Sequence, residues 1–186
     1  IVLSSGVRWI QYREKDKSHR DIYREALMLR ELTDKFGASL IVNDYTDIAL
    51  AVNSDGVHLG QDDLPLKEAR KILGKEKIIG ISTHSIEQAI EAEQGGASYI
   101  GFGPIFHTKT KDACEPKGIE MLKEVKRHIK IPVIAIGGIN IENLRSVIDS
   151  GADAVAVSSA IIQGDIAENI TRFLKVPLQR KSDYLI

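Results

Sequence analysis

Short apolar runs alternate along the chain with longer stretches whose apolar residues recur every three or four positions. The runs are VRWIQY (7–12), SLIVN (39–43), DGVHLG (55–60), KIIGIS (77–82), SYIGFG (98–103), PVIAIGG (132–138) and DAVAVSS (153–159). Val and Ile dominate most of them, the pattern of strands buried on both faces of a parallel sheet. Between and after them, REALMLRELTDKF, LKEARKIL, SIEQAIEAEQ, GIEMLKEVKRHI, ENLRSVIDS and AENITRFLK carry apolar residues at helical spacing. Ser85 ahead of Ile86 and Glu87, and Asn140 ahead of Ile141 and Glu142, are placed to start two of these helices. A faint echo links SSGVRWIQ, SDGVHLG, GGASYIGF and SGADAVAV, where small residues end one helix and turn tightly into the next strand.

Strict alternation of strand and helix implies a parallel α/β architecture. A doubly wound sheet would fit the rhythm, but G-x-G-x-x-G is absent: Gly101 and Gly103 in GFGPIF lack the third glycine. The better reading is a (β/α)8 TIM barrel, short at 186 residues against a typical ~250. Its first strand is not at the N-terminus, because the opening IVLSSG reads as the end of a helix. We expect a single barrel domain over 1–175 and a C-terminal tail over 176–186. The tail ends on the strand-like Tyr184, Leu185 and Ile186. It reads either as a disordered terminus or as the missing barrel strand, permuted or swapped between subunits, and both readings stay open.

Composition narrows the function classes. Lys and Arg number 25 and Asp and Glu 26, a net charge of −1, so no electrostatic footprint for nucleic acid or an anionic membrane is present. Cys114 is the only cysteine, which rules out an intrachain disulfide and favours a reducing, cytoplasmic setting. No apolar run approaches the ~20 residues a bilayer span needs, and IVLSSGVRWIQ lacks the features of a signal peptide.

In such a barrel the chemistry gathers at the C-terminal ends of the strands. Those ends offer Gln11, Arg13 and Lys15, then Asn43 and Asp44, then Gln61, Asp62 and Asp63, then Ser82, Thr83 and His84. Asp44 and Asp63 follow consecutive strands, so both carboxylates can point into one site. One or two carboxylates plus substrate phosphates is the usual way of holding Mg²⁺; helix capping is the competing role. Arg13 and Lys15 suit phosphate oxygens, or else form a solvated charged loop. Gly137, Gly138, Ser158 and Ser159 end the last two strands, where backbone N–H groups often build a phosphate site. His58 lies inside a strand and reads as a packed histidine, His84 as a base or a helix-entry residue, and Cys114 as a bystander. The long connection HTKTKDACEPKG, from position 107, has the length and the Thr and Lys content of a lid.

Taken together, QYREK, LIVNDYTDIAL, DGVHLGQDDLP, IIGIST, YIGFGPIFHTKTK, IPVIAIGGI and DAVAVSSAI resemble the thiamine phosphate synthase family in order and spacing. The resemblance implies a TIM-barrel transferase of thiamine biosynthesis. Such an enzyme joins hydroxymethylpyrimidine diphosphate to hydroxyethylthiazole phosphate with Mg²⁺ and releases pyrophosphate through a pyrimidine carbocation. By position, Gln11, Tyr12, Arg13, Glu14, Lys15 and Asn43 would bind the pyrimidine diphosphate, Asp44 and Asp63 the metal, and Ser82 the same substrate. Thr108, Lys109 and Thr110 would meet the thiazole phosphate and Lys111 the pyrophosphate, with Gly138, Ser158 and Ser159 completing the phosphate cradle. Arg13, Lys15, Lys111 and Ser82 would take the catalytic part. His107 departs from the proline common at that place. Partners would be the two small molecules, with no nucleic acid and no membrane, and with homo-oligomer formation open. The competing readings are a thiazole tautomerase of the same fold, using an acid or base such as His84, and a non-catalytic phosphate-ligand binder.

Overall fold

The computed structural model describes residues 1–108 and 115–176. Seven strands run β1 (Trp9–Tyr12), β2 (Ser39–Asn43), β3 (Gly56–Leu59), β4 (Ile78–Thr83), β5 (Tyr99–Phe102), β6 (Val133–Ile136) and β7 (Ala154–Ala156). All pair in parallel, each with its neighbour in sequence, in one sheet ordered β1 to β7. The helices are α1 (His19–Phe36), α2 (Thr46–Ala51), α3 (Leu66–Leu73), α4 (Ile86–Gln94), α5 (Gly118–His128), α6 (Leu144–Asp149), α7 (Ser159–Ile162) and α8 (Ile166–Leu174). Helices α2 and α7, of 6 and 4 residues, are short and are not among the expected elements. Ser85 caps α4 by accepting from Gln88 N at 3.3 Å. Asn140 instead organises the turn ahead of α6, its Oδ1 accepting from the N–H groups of Glu142 and Asn143. Residues 1–5 form one helical turn, with Ser5 N 3.0 Å from Ile1 O. Positions 177–186, proposed above as a further strand, lie outside the described residues. No helix among the described residues is long and apolar enough to cross a membrane.

Alternation along each strand sorts the side chains onto two faces. Val42, Val57, Leu59, Ile79, Ile81, Ile100, Phe102, Val133, Ala135 and Val155 join Ile22, Ala26, Ala69, Ala89, Leu122, Val125 and Val147 from the helices in the main core. The opposite face carries a second, smaller cluster of Tyr99, Ile134 and Ala154 with Trp9, Ile78 and Ala156. Trp9 of β1 and Tyr99 of β5 meet edge to face there, ring centroids 5.4 Å apart. In a flat sheet four strand spacings would separate them by roughly 19 Å. The sheet therefore curls, with the second cluster on its concave side.

A recurring clamp closes the N-terminal rim. Asp55, ahead of β3, accepts from Leu40 N of β2 at 2.7 Å and from Arg30 of α1 at 2.5 Å. Asp153, ahead of β7, accepts from Val133 N of β6 at 2.8 Å and pairs with Lys126 of α5. Ser98, ahead of β5, accepts from Ile79 N of β4 at 3.1 Å. The sequence echo seen at the strand starts thus marks a repeated side-chain bond to the preceding strand.

Candidate active site

At the C-terminal rim β1 runs into a charged loop of residues 13–18. The Glu14 carboxylate folds back on the loop, accepting from the N–H groups of Lys15 at 2.8 Å and Asp16 at 2.9 Å. Those bonds hold its carboxyl below the usual range. Lys15 reaches across to the end of β2, its Nζ 3.2 Å from Asp44 Oδ2. Asp44 has a left-handed backbone, φ 66°, and its N–H donates to His58 O of β3 at 2.8 Å. This kink turns the carboxylate back toward the rim. Asp63 faces it from the β3–α3 loop, held by Gly60 N, which donates to Oδ2 at 2.6 Å. Burial pushes the Asp44 carboxyl above its ordinary value, and the hydrogen bond and repulsion from Asp63 add to that, with Lys15 opposing. Asn43 is buried beside them. No cluster of three or more metal-ligating side chains occurs among the described residues, so the acidic group is a pair with one ammonium.

On the concave side a polar chain crosses the interior. Tyr99 OH of β5 lies 2.9 Å from His58 Nδ1 of β3, and His58 Nε2 lies 2.9 Å from Ser82 Oγ of β4. Space for the rings comes from two glycines: a Cβ on Gly80 would sit 2.1 Å from Tyr99 Cζ, and one on Gly101 3.0 Å from His58 Cε1. Nearby, Gln61 donates to Ser82 O at 2.6 Å.

The far side of the same C-terminal rim is built on Gly137 and Gly138, both with positive φ, 96° and 66°. They let the chain leaving β5 pass over them. A Cβ on Gly137 would lie 2.5 Å from Pro104 Cβ, and one on Gly138 2.5 Å from His107 O. Ile105 N and Phe106 N donate to Ile136 O and Gly137 O at 2.9 and 3.0 Å, and the returning chain closes with Lys117 N on Pro104 O and Gly118 N on Ile105 O. His84 donates from Nδ1 to Gly103 O at 2.6 Å, fixing the same stem from β4. Ser158 and Ser159 are exposed at the start of α7. Thr108 is half-buried at the described end of the long connection; Lys109, Thr110, Lys111 and Cys114 lie outside the described residues.

The geometry thus gathers two poles on one rim: Lys15, Asp44 and Asp63 at one, and Gly138, Ser158 and Ser159 at the ends of the last two strands. A family model described as thiamine monophosphate synthase matches residues 1–161. The chain belongs to that family. The thiamine-phosphate synthase of Clostridium acetobutylicum is 48% identical over 172 residues, covering 92% of this chain and 82% of the relative. That of Halalkalibacterium halodurans is 47% identical over 177 residues, covering 95% and 84%. Among solved structures, the thiamine phosphate pyrophosphorylase from Pyrococcus furiosus superposes with a TM-score of 0.86 at 39% identity, covering 94% of this chain and 84% of that one.

For this family member, two residues escape a reading of strand ends alone. His58 lies inside β3 and Tyr99 opens β5, yet together they support Ser82. The available signal was polar residues at concave positions with glycine on the neighbouring strand. Tyr12 and Glu14 bond to α1 and within the loop, Tyr12 OH bonding Glu25 at 2.6 Å and Glu14 the N–H groups of Lys15 and Asp16.

Proposed function

We propose that the chain is a thiamine-phosphate synthase, joining hydroxymethylpyrimidine diphosphate to hydroxyethylthiazole phosphate with release of pyrophosphate. Family membership carries the activity class. The observation that carries the site assignment is Lys15 on Asp44, beside Asp63, at neighbouring strand ends. Two carboxylates against one ammonium leave negative charge uncompensated in a partly buried place. An all-oxygen donor pair of that kind suits a hard divalent cation that also needs substrate phosphates. Asp44 and Asp63 would hold Mg²⁺, which when bound supplies charge stabilisation for the leaving diphosphate.

The chain's own residues do the rest. Arg13, Lys15 and Lys111 take up charge on the diphosphate as the pyrimidine CH₂–O bond breaks and its electron pair leaves with pyrophosphate. The thiazole nitrogen then gives its lone pair to the methylene carbon and forms the C–N bond. No proton need be removed, so no general base is required. Gly138, Ser158 and Ser159, with Thr108, Lys109 and Thr110, hold the thiazole phosphate and aim that nitrogen. Ser82, oriented by His58 and Tyr99, gives a hydrogen bond to the pyrimidine diphosphate, and Gln11 and Asn43 line the same subsite. The curled seven-stranded sheet is, in this reading, most of a (β/α)8 barrel. The Trp9–Tyr99 contact across its interior supports that.

The test is turnover of the purified chain with both substrates. Thiamine phosphate and pyrophosphate should appear in equal amounts with Mg²⁺, and both should vanish with a chelator. Absence of thiamine phosphate from folded protein under these conditions would reject the proposal.

A further inference from the structure

The loop of residues 13–18 places three cations, Arg13, Lys15 and Lys17, within five positions. Their mutual repulsion favours an open, solvated loop unless something fixes which cation points where. The structure provides two anchors. Glu14 restrains the loop from within, through the two backbone bonds described above. Glu25, on the second turn of α1, restrains it from outside and commits both of its oxygens. Oε2 accepts from Tyr12 OH at 2.6 Å and Oε1 from Lys17 Nζ at 2.5 Å. One helical carboxylate therefore ties the last residue of β1 and the far cation of the loop to the same rigid element. With Lys17 held back on α1, Lys15 is the lysine that reaches Asp44.

We propose that Glu25 is a positioning residue for the diphosphate subsite: it sets the cationic loop so that Lys15 and Arg13 face that substrate, without touching it. The proposal rests on the assignment of that pole to the pyrimidine diphosphate. The electrostatics agree with the geometry. The bonds from Lys17 and Tyr12 draw the Glu25 carboxyl below its usual range, while burial and Glu25 push the Tyr12 phenol up. Glu25 is not part of the packing of α1, whose buried residues are Ile22, Ala26 and Thr33. Its side chain is 32% exposed, so truncation removes the tether without opening the core.

The experiment compares wild type with Glu25→Ala and Glu25→Gln. In Glu25→Ala the KM for the pyrimidine diphosphate should rise roughly tenfold, as for other supports of a charged site, with the KM for the thiazole phosphate within about twofold. Glu25→Gln keeps an acceptor for Tyr12 but loses the charge facing Lys17, and should fall between. Two readouts need no turnover. Calorimetry with pyrophosphate and Mg²⁺ should show the same loss of affinity, and trypsin should cleave faster after Arg13, Lys15 and Lys17. Equal rises in both KM values, or unchanged pyrophosphate affinity and cleavage, would overturn the role of Glu25. Inactive wild type that still shows the cleavage and pyrophosphate differences would instead reject the synthase reading and leave the tether standing.

Discussion

Asp44 is held in a conformation that few side chains tolerate, and its carboxylate meets Asp63 before it meets solvent. Because its carboxyl titrates higher in the fold than in an unfolded chain, the associated stability is complete below the ordinary carboxylate range. It is lost as pH rises through the elevated value. The metal-free chain should therefore lose stability from this pair as pH rises above the ordinary carboxylate range, about pH 4. Asp63→Asn removes the opposing charge while keeping an acceptor for Gly60 N. We expect it to flatten that pH dependence and to stabilise the metal-free chain at neutral pH, measured by urea unfolding in chelator. Turnover with Mg²⁺ should fall by about 10²-fold, the usual cost of removing a main electrostatic contributor. A variant that is less stable at neutral pH and equally active would contradict the picture.

The strands explain which parts of the site could be read in advance. Gln11, Asn43, Asp44, Asp63 and Ser82 were legible because each follows or ends a Val/Ile-rich run, and strand ends are where this architecture places polar groups. The seven parallel strands and most helices were legible from period alone. Helices α2 and α7 were not: α7 has only 4 residues, about one turn, and α2 begins three residues after the apolar run of β2 ends. Nor was the Trp9–Tyr99 contact, since it depends on the curl that brings β1 against β5. Lys111 and the tail remain expectations from sequence. Within the elements, small residues matter as much as large ones. Gly80→Ala would drive a methyl carbon into the Tyr99 ring, whose Cζ lies 2.1 Å from the Cβ position. We expect a loss of about 1–3 kcal/mol in unfolding free energy, with a raised KM for the pyrimidine diphosphate as the Tyr99–His58–Ser82 alignment shifts. Unchanged melting would show that the ring can move aside.

Across the whole molecule the two rims divide the work. Clamps at Asp55, Ser98 and Asp153 bind strand to strand on the N-terminal side, and the charged loops assemble on the other. Asp153→Ala deprives Val133 N and Lys126 of a charged acceptor and should cost about 1–3 kcal/mol of stability. Its kcat should match wild type wherever the variant is folded, because the clamp stands at the rim opposite the chemistry. Denaturation midpoints and kcat measured on one preparation check both halves of that statement. The polar chain from Tyr99 through His58 to Ser82 crosses the concave face between the two rims. Burial keeps the Tyr99 phenol protonated far into the alkaline range, so its bond to His58 persists when the surroundings become basic. A serine held by a buried histidine presents its hydroxyl in one place rather than several, and so asks its partner to arrive in a matching position. The aim of Ser82 is thus written in an aromatic ring one strand away, which no substrate needs to touch.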